Sequence, residues 1–356
     1  MARVGRVAGG NEVAHHEPHR RTNRRPGGDQ TGPASADATG TVRRSRTMSP
    51  MIVVAGEALI DLLIHPDGRL AAVPGGAPFN TARTIARLGG AVAFLGRLSS
   101  DRFGGVLRER LASDGVDLSL AGTTDAPTTL AVAELDGDGA ATYRFHTAET
   151  SAPGLTRETV RSALAARPAA FHLGTLGLVL EPMASALAAG VTGLGDETLV
   201  MLDPNCRPAV IDRRDAYLER LDAVLGRADV VKVSLEDLAY LAPGEAVSTA
   251  ARALLERGPS VVLLTDGSRG VSIVTRGGAV AVPVPAVRVV DTVGAGDAFG
   301  GGFLARWIER GLGRSELADE AAVREAVTRA IEVASLTCRR PGAEPPLRVE
   351  VDWPPA

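Results

Sequence analysis

Cysteine is nearly absent from this chain. Cys206 and Cys338 are the only two, far apart and in no CxxC or Cys/His spacing. Neither a disulfide framework nor a cysteine-based metal site can be built from them, and a reducing, cytoplasmic setting is the expectation. His65, His146 and His172 are isolated and lack metal-ligand spacing as well. Aromatic residues make up 3% of the sequence. No apolar run approaches the ~18–20 residues of a membrane-spanning helix. Residues 1–50 hold nine arginines against four acidic residues, whereas residues 51–356 hold 30 basic and 38 acidic residues, a balance of −8. An acidic body argues against nucleic acid as the main partner.

Hydrophobic residues account for 45% of the chain, chiefly Ala, Val and Leu, which suits helices packed on a buried sheet. Residues 1–50 show no apolar periodicity and are rich in Gly, Pro, Thr and Arg, as a disordered N-terminal extension is. From Met51 the texture changes. The segments "MIVVAGEALIDLLI", "AVAFLGRL", "AAFHLGTLG", "TLVMLDPN", "ADVVKVS" and "SVVLLTDGS" read as buried strands, and helix-compatible stretches alternate with them. "NTARTIARLGG" reads as a helix ended by glycine, and "SSDRFGGVLRERLASDG" as one capped by Ser and Asp. Alternation of this kind predicts an α/β fold with a mainly parallel sheet covered on both faces. Two antiparallel-looking pieces, around 62–73 and 128–146, break the rhythm and predict a smaller, separate sheet. The expected polar strand ends, where such sheets place ligands, are Asp61, Asp203, Asn205, Ser234, Thr265 and Asp291.

The stretch "DTVGAGDAFGGGF", residues 291–303, concentrates glycine where a helix is expected to begin, after strand-like "VPVPAVRVV". The first backbone N–H groups of a helix have no intrahelical partner and face outward with the positive end of its dipole. Small residues let an anion approach them, so the amides of Gly294, Ala295 and Gly296 predict an anion hole. Asp297 would lie beside that anion. Like charges repel, so the carboxylate makes sense as a base that takes the proton of an attacking hydroxyl. The bland alternative is a helix cap, with Gly300–Gly302 serving close helix packing.

A second glycine motif, "PGGAPFN", leads into a helix. Gly75 and Gly76 would bring backbone against a ligand, Asn80 offers a donor and an acceptor, and Asp61 can accept two hydroxyl hydrogen bonds. Together they suit a polyol, although each also has an ordinary structural reading as a turn or cap. Arg207 could meet a phosphate or a carboxylate, or form an ion pair with Asp203.

"PGGAPFNTARTIARLGG" and "DTVGAGDAFGGGF" resemble the two signatures of the ribokinase-like (PfkB-type) carbohydrate kinases, in order and over about residues 51–346. With "GEALIDLL", "DPNCRP", "KVSLEDL" and "CRRPGAEPP", the pattern is most similar to the bacterial fructokinases. The resemblance implies a Rossmann-like three-layer domain with a small β-sheet lid from about 62–76 and 126–147, and a tail at 347–356. It implies phosphoryl transfer from ATP, with Mg²⁺, to a primary hydroxyl of a small sugar. Asp297 would be the base, Gly294, Ala295 and Gly296 the anion hole, and Asp61, Gly75, Gly76 and Asn80 the sugar grip. "TDGSRG" would place Thr265, Gly267 and Gly270 near ATP. Asp291 falls where K⁺ or another activating monovalent cation binds. The family's Asn-x-x-Glu stands here as Ser234 and Asp237; the shorter Asp237 would reach Mg²⁺ through water. Arg144 and His146 sit in "YRFHTAET" at a spacing that leaves the sugar open between fructose, ribose and 2-keto-3-deoxygluconate. A non-catalytic sugar-binding regulator would lose the base, which is present. Members of this family often pair through their lids, so a homodimer is a further expectation. A dehydrogenase would need G-x-G-x-x-G after the first strand, and "GEALID" stands there instead.

Overall fold

The computed structural model describes residues 51–136 and 141–354. The expected disordered extension, residues 1–50, and most of the "DGDG" turn lie outside them. Nine strands form the main sheet: β1 (Ile52–Ala55), β4 (Val92–Ser99), β5 (Ala121–Thr124), β8 (Ala170–Gly174), β9 (Leu199–Asp203), β10 (Val230–Ser234), β11 (Val261–Thr265), β12 (Val271–Thr275) and β13 (Gly278–Val282), in the order β13-β12-β11-β10-β9-β8-β1-β4-β5. All neighbours are parallel except β11–β12 and β12–β13. The central strands are buried along their length, so successive side chains feed opposite layers: Ile52 and Val54 enter one apolar cluster, Val53 and Ala55 the other.

The first cluster packs beneath α1 (Ala77–Arg87), α2 (Arg102–Ser113), α8 (Ala295–Glu309) and α9 (Glu320–Thr337), with Phe79, Leu107, Phe303, Trp307 and Val327 at its centre. The second packs beneath α3 (Arg157–Leu164), α4 (Met183–Thr192), α5 (Arg214–Leu225), α6 (Leu235–Leu241) and α7 (Val247–Glu256) through Val160, Leu187, Leu221, Leu238 and Leu254. The result is the expected three-layer α/β arrangement.

A four-stranded sheet stands apart, in the order β3-β2-β6-β7, built from β2 (Leu59–Ile64), β3 (Leu70–Gly75), β6 (Leu130–Leu135) and β7 (Ala141–His146). Its segments are the two that break the sequence rhythm. One pairing differs from an all-antiparallel reading, because β2 runs parallel to β6, Ile60 opposite Leu130.

Three further differences have plain causes. "VPVPAVRVV" is strand only to Val282, because Pro283 and Pro285 supply no N–H to a ladder. The hairpin β12–β13, which the alternating pattern does not announce, precedes it. The expected tail is part of the fold: Val351 and Trp353 are buried, and the Trp353 ring lies under the guanidinium groups of Arg306 and Arg348.

Candidate active site

Helix α8 begins at a glycine in the left-handed region, Gly294, with φ 74°. A Cβ there would lie 2.4 Å from that of Ala343, so both conformation and space require glycine. The helix has no side-chain cap. Ala295 departs from expectation, since its amide donates to Thr292 O at 3.2 Å and closes the preceding turn. The amides of Gly296 and Asp297, in contrast, have no acceptor among the described residues. The Gly294 amide has none either, so two of the three predicted amides are free and that of Asp297 joins them. Farther along, Gly301 abuts Thr81 and Thr84 of α1, and Gly302 abuts Ala330 and Val333 of α9. The later glycines of the run serve close helix packing.

A cleft of about 500 Å³ opens beside this start, lined by Glu57, Asp61, Gly76, Asn80, Tyr143, Phe145, Asn205, Arg207, Lys232, Gly294, Gly296 and Asp297. A second cavity of about 560 Å³, with mostly apolar walls, is lined by Thr265, Gly267, Ser268, Val284, Val287, Val289, Ile331 and Ala334. Thr292 and Gly296 line both. A polar cleft and an apolar one thus meet at the unsatisfied amides of one helix.

Burial pushes the Asp297 carboxyl up to about 6, against the Asn80 hydrogen bond and the Lys232 charge that hold it down. Asn80 Nδ2 donates to Asp297 Oδ2 at 2.9 Å. Asn80 is not a helix cap, because α1 starts at Ala77 and Asn80 N already donates to Gly76 O. Asp61 sits in the third position of β2, in the smaller sheet and not at the end of the first strand. Burial raises its pKa to about 6, and the Arg207 charge opposes the shift. The two glycines of "PGG" make room for the protein itself. A Cβ on Gly75 would come within 2.0 Å of Asp61 Oδ2, and one on Gly76, at φ 107°, within 2.8 Å of Glu57 O. Gly76 lines the cleft; Gly75 stands behind Asp61.

Arg207 forms no ion pair with Asp203. It donates to the Asn205 and Cys206 carbonyls, while Asp203 pairs with Lys232 at 2.8 Å. Cys206 is buried beside the Tyr217 hydroxyl and its thiol is pushed up to about 12, so it is no nucleophile. Thr265 and Gly267 line the apolar cavity, whereas Gly270, at φ 134°, turns the chain behind it. Ser234 and Asp237 form a capping box at the start of α6 and line neither cleft. The Asp237 carboxylate accepts from Ser234 N, Ser234 Oγ and Cys206 N. Asp291 accepts from Val293 N and Gly342 N, tying α8's approach to the loop after α9.

Two residues escape sequence reasoning. Glu57 is buried, and its Oε2 has no partner among the described residues. Burial pushes its pKa up to about 8. Lys232 lines the cleft from the middle of β10. Its signal is in the sequence: it is the only lysine in the chain, set in an otherwise apolar strand.

Residues 49–349 match the pfkB family carbohydrate kinase pattern, and the chain belongs to that family. Fructokinase-1 of Oryza sativa subsp. japonica is 34% identical over 314 residues, covering 85% of this chain and 96% of the relative. The structure of a fructokinase from Xylella fastidiosa with bound ATP superposes with a TM-score of 0.77 at 31% identity, covering 83% of this chain and 94% of that one. The fructokinase of Vibrio cholerae O395, solved with fructose, ADP and calcium, gives a TM-score of 0.71 at 27% identity, covering 83% and 94%.

Proposed function

We propose that this carbohydrate kinase transfers the terminal phosphoryl group of ATP to a primary hydroxyl of fructose. The observation that carries the reading is the meeting of two cavities at the free amides of Gly296 and Asp297, with the Asp297 carboxylate alongside. The sugar occupies the polar cleft, where Asp61 and the unpartnered Asn80 Oδ1 accept hydroxyl hydrogen bonds. The nucleotide lies in the apolar cavity beside Thr265 and Gly267. Its terminal phosphate then rests on the helix start, where amides and dipole favour an anion. As the sugar oxygen bonds to phosphorus, the bridging O–P bond of ATP breaks, ADP leaves, and the hydroxyl proton passes to Asp297. The fructokinase relatives support fructose as acceptor.

Among the described residues no cluster of three or more acidic, His or Cys side chains could cage a metal. Mg²⁺ would be held mainly by phosphate oxygens and water, where it would neutralise phosphate charge. Asp237, buried with both carboxylate oxygens accepting from Ser234 and Cys206, does not fit the water-bridged role expected of it. Asp291, the residue that the family resemblance assigns to K⁺, holds the local backbone by accepting from Val293 N and Gly342 N.

A sugar acid is the second reading, because Arg207 faces the cleft without a carboxylate partner among the described residues. A coupled ADP-release assay over fructose, ribose, tagatose and 2-keto-3-deoxygluconate separates these. The highest kcat/KM for fructose supports the proposal; the highest for the sugar acid transfers it to the second reading. Turnover with none of the four overturns both.

A further inference from the structure

One lysine stands against 38 arginines in this chain, and that lysine is at the site. Lys232 is 4% exposed in the middle of β10, and its Nζ lies 2.8 Å from Oδ2 of Asp203, the last residue of neighbouring β9. Asp203 is 3% exposed, and its Oδ1 has no partner among the described residues. A buried ion pair is costly to form, and replacing it with apolar side chains is often neutral or stabilising. Its presence here calls for a reason other than stability. The reason is adjacent: a Cβ on Gly296 would stand 2.9 Å from Lys232 Nζ, so the ammonium lies directly against the start of α8.

The surroundings leave the ammonium charged. Burial pulls its pKa down, but the attraction of Asp203, then of Asp237 and Asp297, outweighs burial and leaves it above the ordinary lysine value. His172 of β8, the other titratable group facing it, is buried and neutral, its pKa depressed to about 3 chiefly by burial. Asp297 in turn is faced by Asn80 and Thr81 of α1, Lys232 of β10, Asp203 of β9, Arg207 of the following loop, and Glu57 between β1 and β2.

We propose, on the reading that Asp297 is the base, that Lys232 is a positioning residue for phosphoryl transfer: pinned by Asp203 beneath the start of α8, its ammonium keeps Asp297 in the ionised form that can accept a proton. The two partners of the pair act on Asp297 in opposite senses, Lys232 favouring ionisation and Asp203 opposing it.

The test is the pH profile of kcat/KM for wild type, Lys232→Met, Asp203→Asn and Asp297→Asn. Lys232→Met is expected to move the acid limb to higher pH by about one pH unit or more, and Asp203→Asn to move it to lower pH. Displacements in the same direction, or none with a uniform loss of rate, overturn the positioning role. Asp297→Asn reads the underlying assignment separately: near-normal turnover there removes the base, whatever the other two do. If either salt-bridge variant fails to fold, the single lysine supplies a second measurement. Labelling with [13Cε]lysine gives one side-chain signal, expected to step with pH across the acid limb in wild type and to lose that step in Asp297→Asn. A signal without a step in wild type, or with the same step in both, overturns the proposal.

Discussion

Asn80 Nδ2 lies 2.9 Å from Asp297 Oδ2, joining the first turn of α1 to the first turn of α8 across 217 positions of sequence. The bond does two things. It engages one carboxylate oxygen of Asp297, and it sets the orientation of the Asn80 amide, whose Oδ1 is buried and unpartnered among the described residues. Both glycine motifs therefore contribute to one polar contact, which holds the Asp297 carboxyl in the polar cleft beside Gly296, where the two cavities meet.

Asp297→Asn keeps the size of the side chain and removes its basicity. Turnover is expected to fall by about 10²–10⁴-fold, the usual contribution of a positioned base. Calorimetric affinities for sugar and ATP are expected to stay within a few-fold of wild type. Turnover close to normal would show that the hydroxyl loses its proton elsewhere.

The acid limb of activity follows from the same carboxylates. Asp297 and Asp61 are both raised to about 6 by burial. In the proposed function each would act in its ionised form, one as proton acceptor and one as hydrogen-bond acceptor. Activity is therefore expected to be full above about pH 7 and lost as pH falls through about 6. Because two groups titrate together, log kcat/KM should steepen toward a slope of two at the acid end. A limb centred near the ordinary carboxylate range, with a slope of one, would show that neither is raised and only one matters.

Gly75→Ala tests how Asp61 is held. The new methyl carbon would fall 2.0 Å from Asp61 Oδ2, so the carboxylate must swing away. KM for the sugar is expected to rise about 10- to 100-fold, with KM for ATP nearly unchanged. Equal changes in both would point to a general disturbance of β2 and β3.

Much of this architecture is legible in the chain. Apolar runs ending in Asp203, Ser234 and Thr265 mark the parallel strands, and two glycine motifs mark the helix starts that meet at the site. What escapes is what depends on packing. Gly75 reads from sequence as backbone freedom for a ligand, but the space it leaves belongs to Asp61, a fact of the β2–β3 register. Ser234 and Asp237 match phosphate and metal contacts by motif, whereas locally they close a capping box, a pairing their i, i+3 spacing already allows. Lys232 and Glu57 acquire meaning only when the sheet brings them beside Asp297.

Glu57→Gln probes the buried acid at the mouth of the first strand. Glu57 is 1% exposed, and its folded-state pKa is raised from 4.5 to about 8, chiefly by burial. The folded protein thus keeps this proton up to about pH 8, while the unfolded chain releases it near 4.5. Between those values unfolding liberates a proton, so the contribution of Glu57 to stability declines as pH rises and levels off above about 8. A difference of one in pKa corresponds to about 1.4 kcal/mol, which sets an upper bound on the order of 5 kcal/mol for the whole window. Glutamine has the same shape and no proton to lose. Melting temperatures of variant and wild type are therefore expected to coincide near about pH 5, with the variant increasingly the more stable toward about pH 8.5. A difference that stays constant over that range would show that Glu57 ionises in the folded protein at an ordinary pH, and that the interior of the cleft is wetter than its burial implies.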